Sequence, residues 1–240
     1  MIVGNGMLAK RFEKYANNSR YLIFASGVSD SSANSAEAFL RERNLLHAHI
    51  QSAKDKTLIY FSTCSIYDSS LANTPYVLHK LEMEKIIQGS FPSYLIFRVS
   101  NPIGFTHNRH TVFNFLISHI LEGRIFDIWK NARRNILDID DLFLACKYYL
   151  DLQNRCNEII TIANPNNYAV IEMVEAIEKH FSKKGVYHFT ERGGGPDIDK
   201  LAMEELFRNL NISFGADYLE KILKKYFTHD LPESFTQKKD

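Results

Sequence analysis

The chain has 240 residues, 45% hydrophobic and 24% charged, the balance of a globular protein of one large or two small domains with enough length to bury a substantial core. A net charge of +1 gives no electrostatic reason to expect nucleic acid or an anionic membrane surface as a partner. No apolar run approaches the eighteen or so residues of a membrane span, the first residues lack a basic and then apolar leader, and three cysteines without a Cys-x-x-Cys pair build no disulfide framework, which suits a reducing cytoplasm.

In chain order, "MIVGNGMLAKRF" predicts a strand at Met1–Val3, a turn through Gly4 and Gly6, and a helix over Met7–Tyr15. Ala9 completes a Gly-x-Gly-x-x-Ala pattern, in which the glycines allow a tight turn and let the backbone approach a pyrophosphate on the helix N-terminus. The same letters also describe a plain strand–turn–helix connection. The acidic residue expected about 20 positions on, which would grip an adenosine ribose, is missing: the next strand, Tyr21–Ala25, runs into small neutral residues. Helices then follow at Ala36–Ser52, Tyr76–Gln88, Thr111–Leu121 and Asp140–Leu150, the last led by two acids, with strands at Thr57–Ser62, Tyr94–Val99 and Glu158–Ala163. Strand alternating with helix predicts a parallel sheet covered on both faces. Past residue 165 the alternation weakens into a helix at Val170–Phe181, a strand at Val186–Thr190, the loop "RGGGPD" and helices at Lys200–Leu210 and Ala216–Tyr226. This reads as a smaller α-rich lobe over 166–240, after a sheet domain over 1–165 whose residues 101–125 also contribute to the lobe. The last ten residues read as frayed.

Several side chains have the right types for chemistry. Tyr76 and Lys80 are four apart, so on a helix started by Pro75 they share one face. A tyrosine near pKa 10 must fall by about 3 pH units, roughly 4 kcal/mol, to act near neutrality, and a neighbouring ammonium lowers it. Random placement in a chain with 12 tyrosines gives about one such spacing, so the pair means little alone. Thr63 closes a strand at the carboxyl edge, where open α/β sheets bind ligands. Arg98, Asn101 and Gly104 lie in "FRVSNPIG" directly after a strand, and Arg134 lies in "RRNILDIDD". Arginine suits phosphate because it binds bidentately, while a structural ion pair is the plainer role for each. His47 and His49 face different sides of a helix, and His107 and His110 have a metal-ligand spacing without a carboxylate or cysteine cluster, so no metal site is expected.

Taken together, the motifs resemble the extended short-chain dehydrogenase/reductase family of sugar-nucleotide epimerases, dehydratases and reductases. "ERNLLHAHIQSA" is similar to the family's Asn-Leu-Leu helix, and "IYFSTCSIYD" to its Ser-Ser/Thr-x-x-Val-Tyr-Gly. "PYVLHKLEME" resembles Pro-Tyr-x-x-x-Lys-x-x-x-Glu, "RVSNPIG" resembles Arg-x-x-Asn-x-x-Gly, and "RRNILDIDDLFLA" and "ERGGGPDIDKLAMEEL" resemble its two late arginine segments. The resemblance implies a Rossmann-like doubly wound fold and NAD or NADP as cofactor, placed by Gly4, Gly6, Ala9, Ala25 and Lys80. It implies catalysis by Thr63, Tyr76 and Lys80, with Tyr76 as general acid/base and Lys80 lowering its pKa and holding the nicotinamide ribose. A nucleotide-sugar diphosphate would be held by Asn101, Arg134 and Arg192. A cytoplasmic role in surface polysaccharide supply and a possible homodimer follow from the family alone.

Three departures qualify it. The family's second and third strands, which carry the adenosine-ribose contact, read as deleted, leaving a reduced N-terminal edge. The loop between Tyr67 and Tyr76 is short. Asn135 and Asp138 replace an Asp and a His. The Asp-Glu pair with which family dehydratases eliminate water is Cys64 and Ser65 here, which points to ketoreduction or epimerisation instead. The rival reading is a binding or scaffold protein that kept the fold and lost the cofactor.

Overall fold

The computed structural model describes residues 1–29, 35–50, 52, 54–106, 108–109, 111–152 and 156–227. His107, His110 and the last ten residues lie outside that set. Among the described residues there are eleven strands and eight α-helices. The strands are β1 (Ile2–Val3), β2 (Tyr21–Phe24), β3 (Thr57–Thr63), β4 (Tyr94–Val99), β5 (Asn101–Ile103), β6 (Phe126–Trp129), β7 (Arg133–Arg134), β8 (Ile136–Asp138), β9 (Glu158–Ile162), β10 (Tyr168–Ala169) and β11 (Tyr187–Thr190). The helices are α1 (Met7–Arg11), α2 (Ala36–His49), α3 (Pro75–Ser90), α4 (Val112–Glu122), α5 (Ile139–Asp151), α6 (Val170–Phe181), α7 (Lys200–Asn209) and α8 (Tyr218–Tyr226).

The central sheet is parallel and runs β1-β2-β3-β4-β9. Its strands are near-continuous apolar runs because both faces are covered. Leu22, Phe24, Leu58, Tyr60 and Ile96 face Leu46 of α2 and Met83 and Ile87 of α3. Ile23, Ile59, Phe61, Leu95 and Phe97 face Phe12, just after α1, and Leu142 and Phe143 of α5. Phe12 stands edge-on to both Phe61 and Phe143, at 5.1 and 5.0 Å between ring centroids.

The expected deletion is visible in the strand order. β2 lies directly beside β1, and among the described residues no strand pairs with the outer side of β1. The connections from β1 to β2 and from β2 to β3 step the same way across the sheet. The first carries its helix on the α5 face and the second on the α3 face, so the two are of opposite hand, which the near-universal right-handed rule makes rare. The result preserves something useful. The chain leaves the carboxyl ends of β1 and β2 toward opposite faces, and such divergence opens the crevice that α/β sheets use for ligands. Elsewhere the crevice comes from a reversal of strand order; here it survives without one.

The first helix is shorter than its periodicity predicts. α1 ends at Arg11 and a 3₁₀ turn at Glu13–Tyr15 replaces its second half. In the C-terminal part, α6 and α8 pack Met173, Val174 and Ile177 against Leu219, Ile222 and Leu223, in one buried cluster with Phe113 and Ile117 of α4. β6 pairs with β11, β5 with β8 and β7 with β10. Asp138 caps α5 through the Asp140 amide (2.7 Å) and accepts bonds from Lys225 Nζ and the Tyr226 hydroxyl, both at 2.7 Å. Arg11 and Lys225 both pair with Asp140, which ties α1 to α8 across the start of α5.

Candidate active site

The turn after β1 is set by a close approach. Gly4 has φ +120°, and a Cβ there would lie 2.4 Å from the Ala25 carbonyl oxygen, which only glycine avoids. A Cβ on Gly6 would meet nothing within 4 Å. The backbone at Gly6 is therefore open to the crevice between the diverging chains, and Ala9 is buried below it. Ala25 donates its amide to the Val3 carbonyl at 2.8 Å, which fixes the other lip.

Thr63 ends β3 opposite Val99 and starts the 3₁₀ turn Cys64–Tyr67. Its hydroxyl accepts the Ser65 amide and donates to Ser65 Oγ, both at 3.0 Å. Cys64 is buried, with Sγ 3.2 Å from the Arg98 carbonyl, and that burial drives its thiol pKa far up. Thr74 caps α3 with Pro75 in the first turn, the placement expected from the sequence. Tyr76 follows, 7% exposed, and its hydroxyl makes no hydrogen bond among the described residues.

Lys80 lies one turn on and is 2% exposed. Its ammonium donates to Glu42 Oε1 at 3.0 Å and to the Tyr60 hydroxyl at 3.1 Å. Glu42, fully buried on α2, also accepts from Tyr60 (2.7 Å) on Oε1, and from the Val28 amide (2.7 Å) and His79 Nε2 (3.0 Å) on Oε2. Burial alone would raise this carboxyl. Lys80 and the three hydrogen bonds outweigh it and hold the pKa down at about 2. Burial and the same carboxylate push the Tyr60 phenol well up. Gly27 covers the pair: a Cβ there would lie 2.6 Å from Lys80 Nζ and 2.9 Å from Glu42 Oε1. Sequence reasoning did not find Glu42. The only local signal is an acid one turn before the buried Leu46, on the same face of the helix.

Arg98 is an ion-pair residue, the plainer of its two expected roles. It grips Glu84 with Nε and Nη2 at 3.0 and 2.7 Å, and Glu84 also accepts from Ser62 Oγ at 2.5 Å. The bonds to Glu84 raise the guanidinium pKa, against burial.

Arg134 is different. It is half-buried on β7 and its Nη1 donates only to the neighbouring Arg133 carbonyl; among the described residues no carboxylate pairs with it. Burial lowers its pKa, opposed by the charge of Asp68. The Gly-rich loop lies against it: the Arg133 amide donates to Gly194 O at 2.8 Å and the Asn131 amide to Arg192 O at 3.0 Å, and the Arg192 side chain is exposed. This loop also meets the turn after Thr63, where the Asp197 amide donates to Tyr67 O at 3.0 Å. Asn101 is exposed and donates its side-chain amide to Asn135 O at 2.9 Å. Asn135 itself, fully buried, bonds the Asn164 amide and carbonyl, the Asn166 carbonyl and the Asn167 side chain. In place of the family's Asp it pins the loop after β9.

The structure thus brings two groups to the carboxyl edge of one sheet. One is Thr63 at the end of β3, with Tyr76 and Lys80 one turn apart on α3 and the Lys80 ammonium beside Gly27 beyond β2. The other is Asn101, Arg134 and the Arg192 loop. A crevice between diverging βα connections, next to a strand-end Thr and a helical Tyr/Lys pair, defines a Rossmann-type nucleotide-binding α/β protein. The sequence profile of the NAD dependent epimerase/dehydratase family matches residues 18–163, and the chain belongs to that family. The Gly4–Gly6 turn falls outside the matched stretch. No curated protein matches the chain. Among solved structures it is similar to the UDP-glucuronic acid 4-epimerase of Bacillus cereus in complex with UDP-glucuronic acid and NAD, at 18% identity and TM-score 0.68 over 92% of this chain and 77% of that one. RMD from Pseudomonas aeruginosa complexed with NADPH gives 15% and 0.68 over 93% and 97%. The dTDP-glucose 4,6-dehydratase of Bacillus anthracis in complex with NAD gives 15% and 0.67 over 93% and 77%. At these identities the likeness is one of fold, and it includes both NAD and NADPH complexes.

Proposed function

We propose that the chain is an NAD(P)-dependent oxidoreductase or epimerase of a nucleotide-linked sugar that works without loss of water. The observation that carries this reading is Arg134: a half-buried guanidinium that meets no carboxylate among the described residues, beside the Arg192 loop and within the loop cluster that follows Thr63. A cation withdrawn from water and left unpaired is costly, and an anionic diphosphate supplies the missing charge bidentately. Asn101, at the start of β5, adds an amide.

The residues present fit the phosphate half of the cofactor, since the backbone at Gly6 is open where Gly4 is closed. The cofactor, when bound, supplies or accepts the hydride. Tyr76, with its hydroxyl unbonded, takes or gives the proton at the sugar oxygen. Thr63 orients that oxygen, and Lys80 stabilises the phenolate. Cys64, buried with its thiol pKa driven up, cannot protonate a departing hydroxide near neutrality, and Ser65 is no acid, which favours ketoreduction or epimerisation over dehydration. The missing second and third strands leave the adenosine half without its usual enclosure, so binding is weak and discriminates little between NAD and NADP.

The test is mass spectrometry of incubations with nucleotide hexoses and their 4-keto forms, with NAD(H) and NADP(H). Conversion at constant mass or with gain of two hydrogens is expected, and Tyr76→Phe should remove most of it while leaving the fold intact. A Tyr76-dependent product lighter by one water would overturn the reaction type. Failure of either cofactor to bind at millimolar concentration would favour the scaffold reading, to which the buried Lys80 and the short α1 lend support.

A further inference from the structure

Lys80 has an environment that a surface-facing lysine of a Tyr/Lys pair does not need. Its ammonium is enclosed by α2 (Glu42), β3 (Tyr60) and the backbone of Gly27 beyond β2, and His79 of its own helix holds the other oxygen of Glu42. Glu84, the next acid along α3, is taken up by Arg98 and Ser62. Among the described residues the anion in contact with Lys80 is therefore Glu42. Each oxygen of Glu42 accepts two hydrogen bonds, so the carboxylate is held from four sides and cannot swing away.

We propose that Glu42 is the positioning residue of this site: it keeps the buried Lys80 protonated and aimed, so that the Tyr76–Lys80 pair stands ready before any cofactor arrives. This rests on the reading of Tyr76 and Lys80 given above. A lysine this buried loses its proton readily without a counter-ion, by several pH units in documented cases. A neutral amine neither stabilises a phenolate nor attracts a ribose hydroxyl as an ammonium does. The Val28 bond extends the effect, because the carboxylate that holds Lys80 also anchors the lip that leads from Ala25 over the crevice. Tyr60 donates to Glu42 and so leaves its oxygen to accept from Lys80, closing a triangle of hydrogen bonds. Among the described residues His79 Nδ1 has no partner, so the ring is held through Nε2.

In Glu42→Gln the buried amine has lost its carboxylate partner, and burial without one favours the neutral form. Turnover of the variant should acquire a basic limb, falling about tenfold per pH unit, at lower pH than any such limb of the unaltered protein. Glu42→Gln with Lys80→Arg restores a charge that cannot be lost and should flatten the profile. A merely structural Glu42 would lower the amount of folded protein without moving the limb.

A second measurement needs no substrate. Acetic anhydride attacks neutral amines, so at pH 7 peptide mass spectrometry should find Lys80 protected in the unaltered protein and labelled at least tenfold faster in Glu42→Gln, judged against the surface Lys147 and with circular dichroism confirming the fold. Should Glu42→Gln not fold, Tyr60→Phe, which removes one bond from each partner, should give a smaller rise in labelling. Equal labelling of Lys80 in all folded forms, or an unshifted pH profile, overturns the proposal. Absence of turnover with the labelling difference intact would instead overturn the enzymatic reading and leave the Glu42–Lys80 pairing standing.

Discussion

Lys80, fully buried, and Arg134, half-buried, are both cations drawn in from water, and the molecule treats them in opposite ways. Lys80 meets a carboxylate with both oxygens doubly bonded and a glycine pressed over it. Arg134 meets one backbone carbonyl and the distant field of Asp68. The first is a closed account of charge, settled when the chain folds; the second is open, and an anion from outside completes it. A buried pair is poor grounds for claiming stability but a strong constraint on geometry, since breaking it from one side is far costlier than replacing both partners.

That asymmetry gives the largest expected effect. Glu42→Ala should destabilise the protein by about 3–5 kcal/mol in urea unfolding, while Glu42→Leu with Lys80→Met should recover most of the loss. A double variant as unstable as the single one would show that the pair itself, and not the orphaned ammonium, carries the cost. Arg134→Met should do the contrary: stability unchanged within about 0.5 kcal/mol, with the affinity for a nucleoside diphosphate sugar lost by equilibrium dialysis.

Acid sharpens the contrast next. Glu42 has a folded pKa of about 2 against an ordinary 4.5, so the stability it contributes is fully present above pH 4.5 and is lost as pH falls toward 2. The amount is up to about 3 kcal/mol. Urea midpoints between pH 5 and 2.5 should fall more steeply in the unaltered protein than in Glu42→Leu/Lys80→Met; parallel slopes would break the comparison.

The two glycines of the first turn supply the smaller effects. Gly4→Ala forces a Cβ toward the Ala25 carbonyl at a strained φ and should cost about 1–3 kcal/mol, read as a lower Tm. Gly6→Val, with open space around its Cβ, should leave Tm within a degree or two and yet abolish what NAD or NADP binding there is, measured by titration calorimetry. Equal Tm losses for both would mean that Gly6 is structural too.

The five sheet strands and the helices between them were legible because apolar runs and helical periodicity report which face of an element is buried. The missing strands were legible as well, from the short interval between the first turn and Tyr21. Glu42 was not, because periodicity places it on the inner face of α2 but cannot say that a lysine from α3 waits there. The opposite hand of the β1–β2 connection was equally hidden, since it depends on Phe12 choosing Phe61 and Phe143 over the α2 side. The pairs β5–β8 and β7–β10 are two or three residues long, too short for alternation to register. Among the candidate residues, Thr63, Tyr76 and Lys80 were named from spacing and family pattern, whereas the role of Asn135 as a pin for the Asn164–Asn167 loop needed coordinates.

The shortened sheet also bears on how the protein stays apart from its neighbours. Among the described residues nothing pairs with the outer side of β1, which makes it a sheet edge, and exposed edges template pairing between molecules. Here the edge is only Ile2–Val3. Since the Met1 and Val3 carbonyls accept from β2, within β1 Ile2 alone turns its amide and carbonyl outward. The Gly4 turn, with φ +120°, bends the chain away at the end of this stub. A lineage that discards strands can keep its edge from becoming a seed for aggregation by leaving almost no ladder to extend.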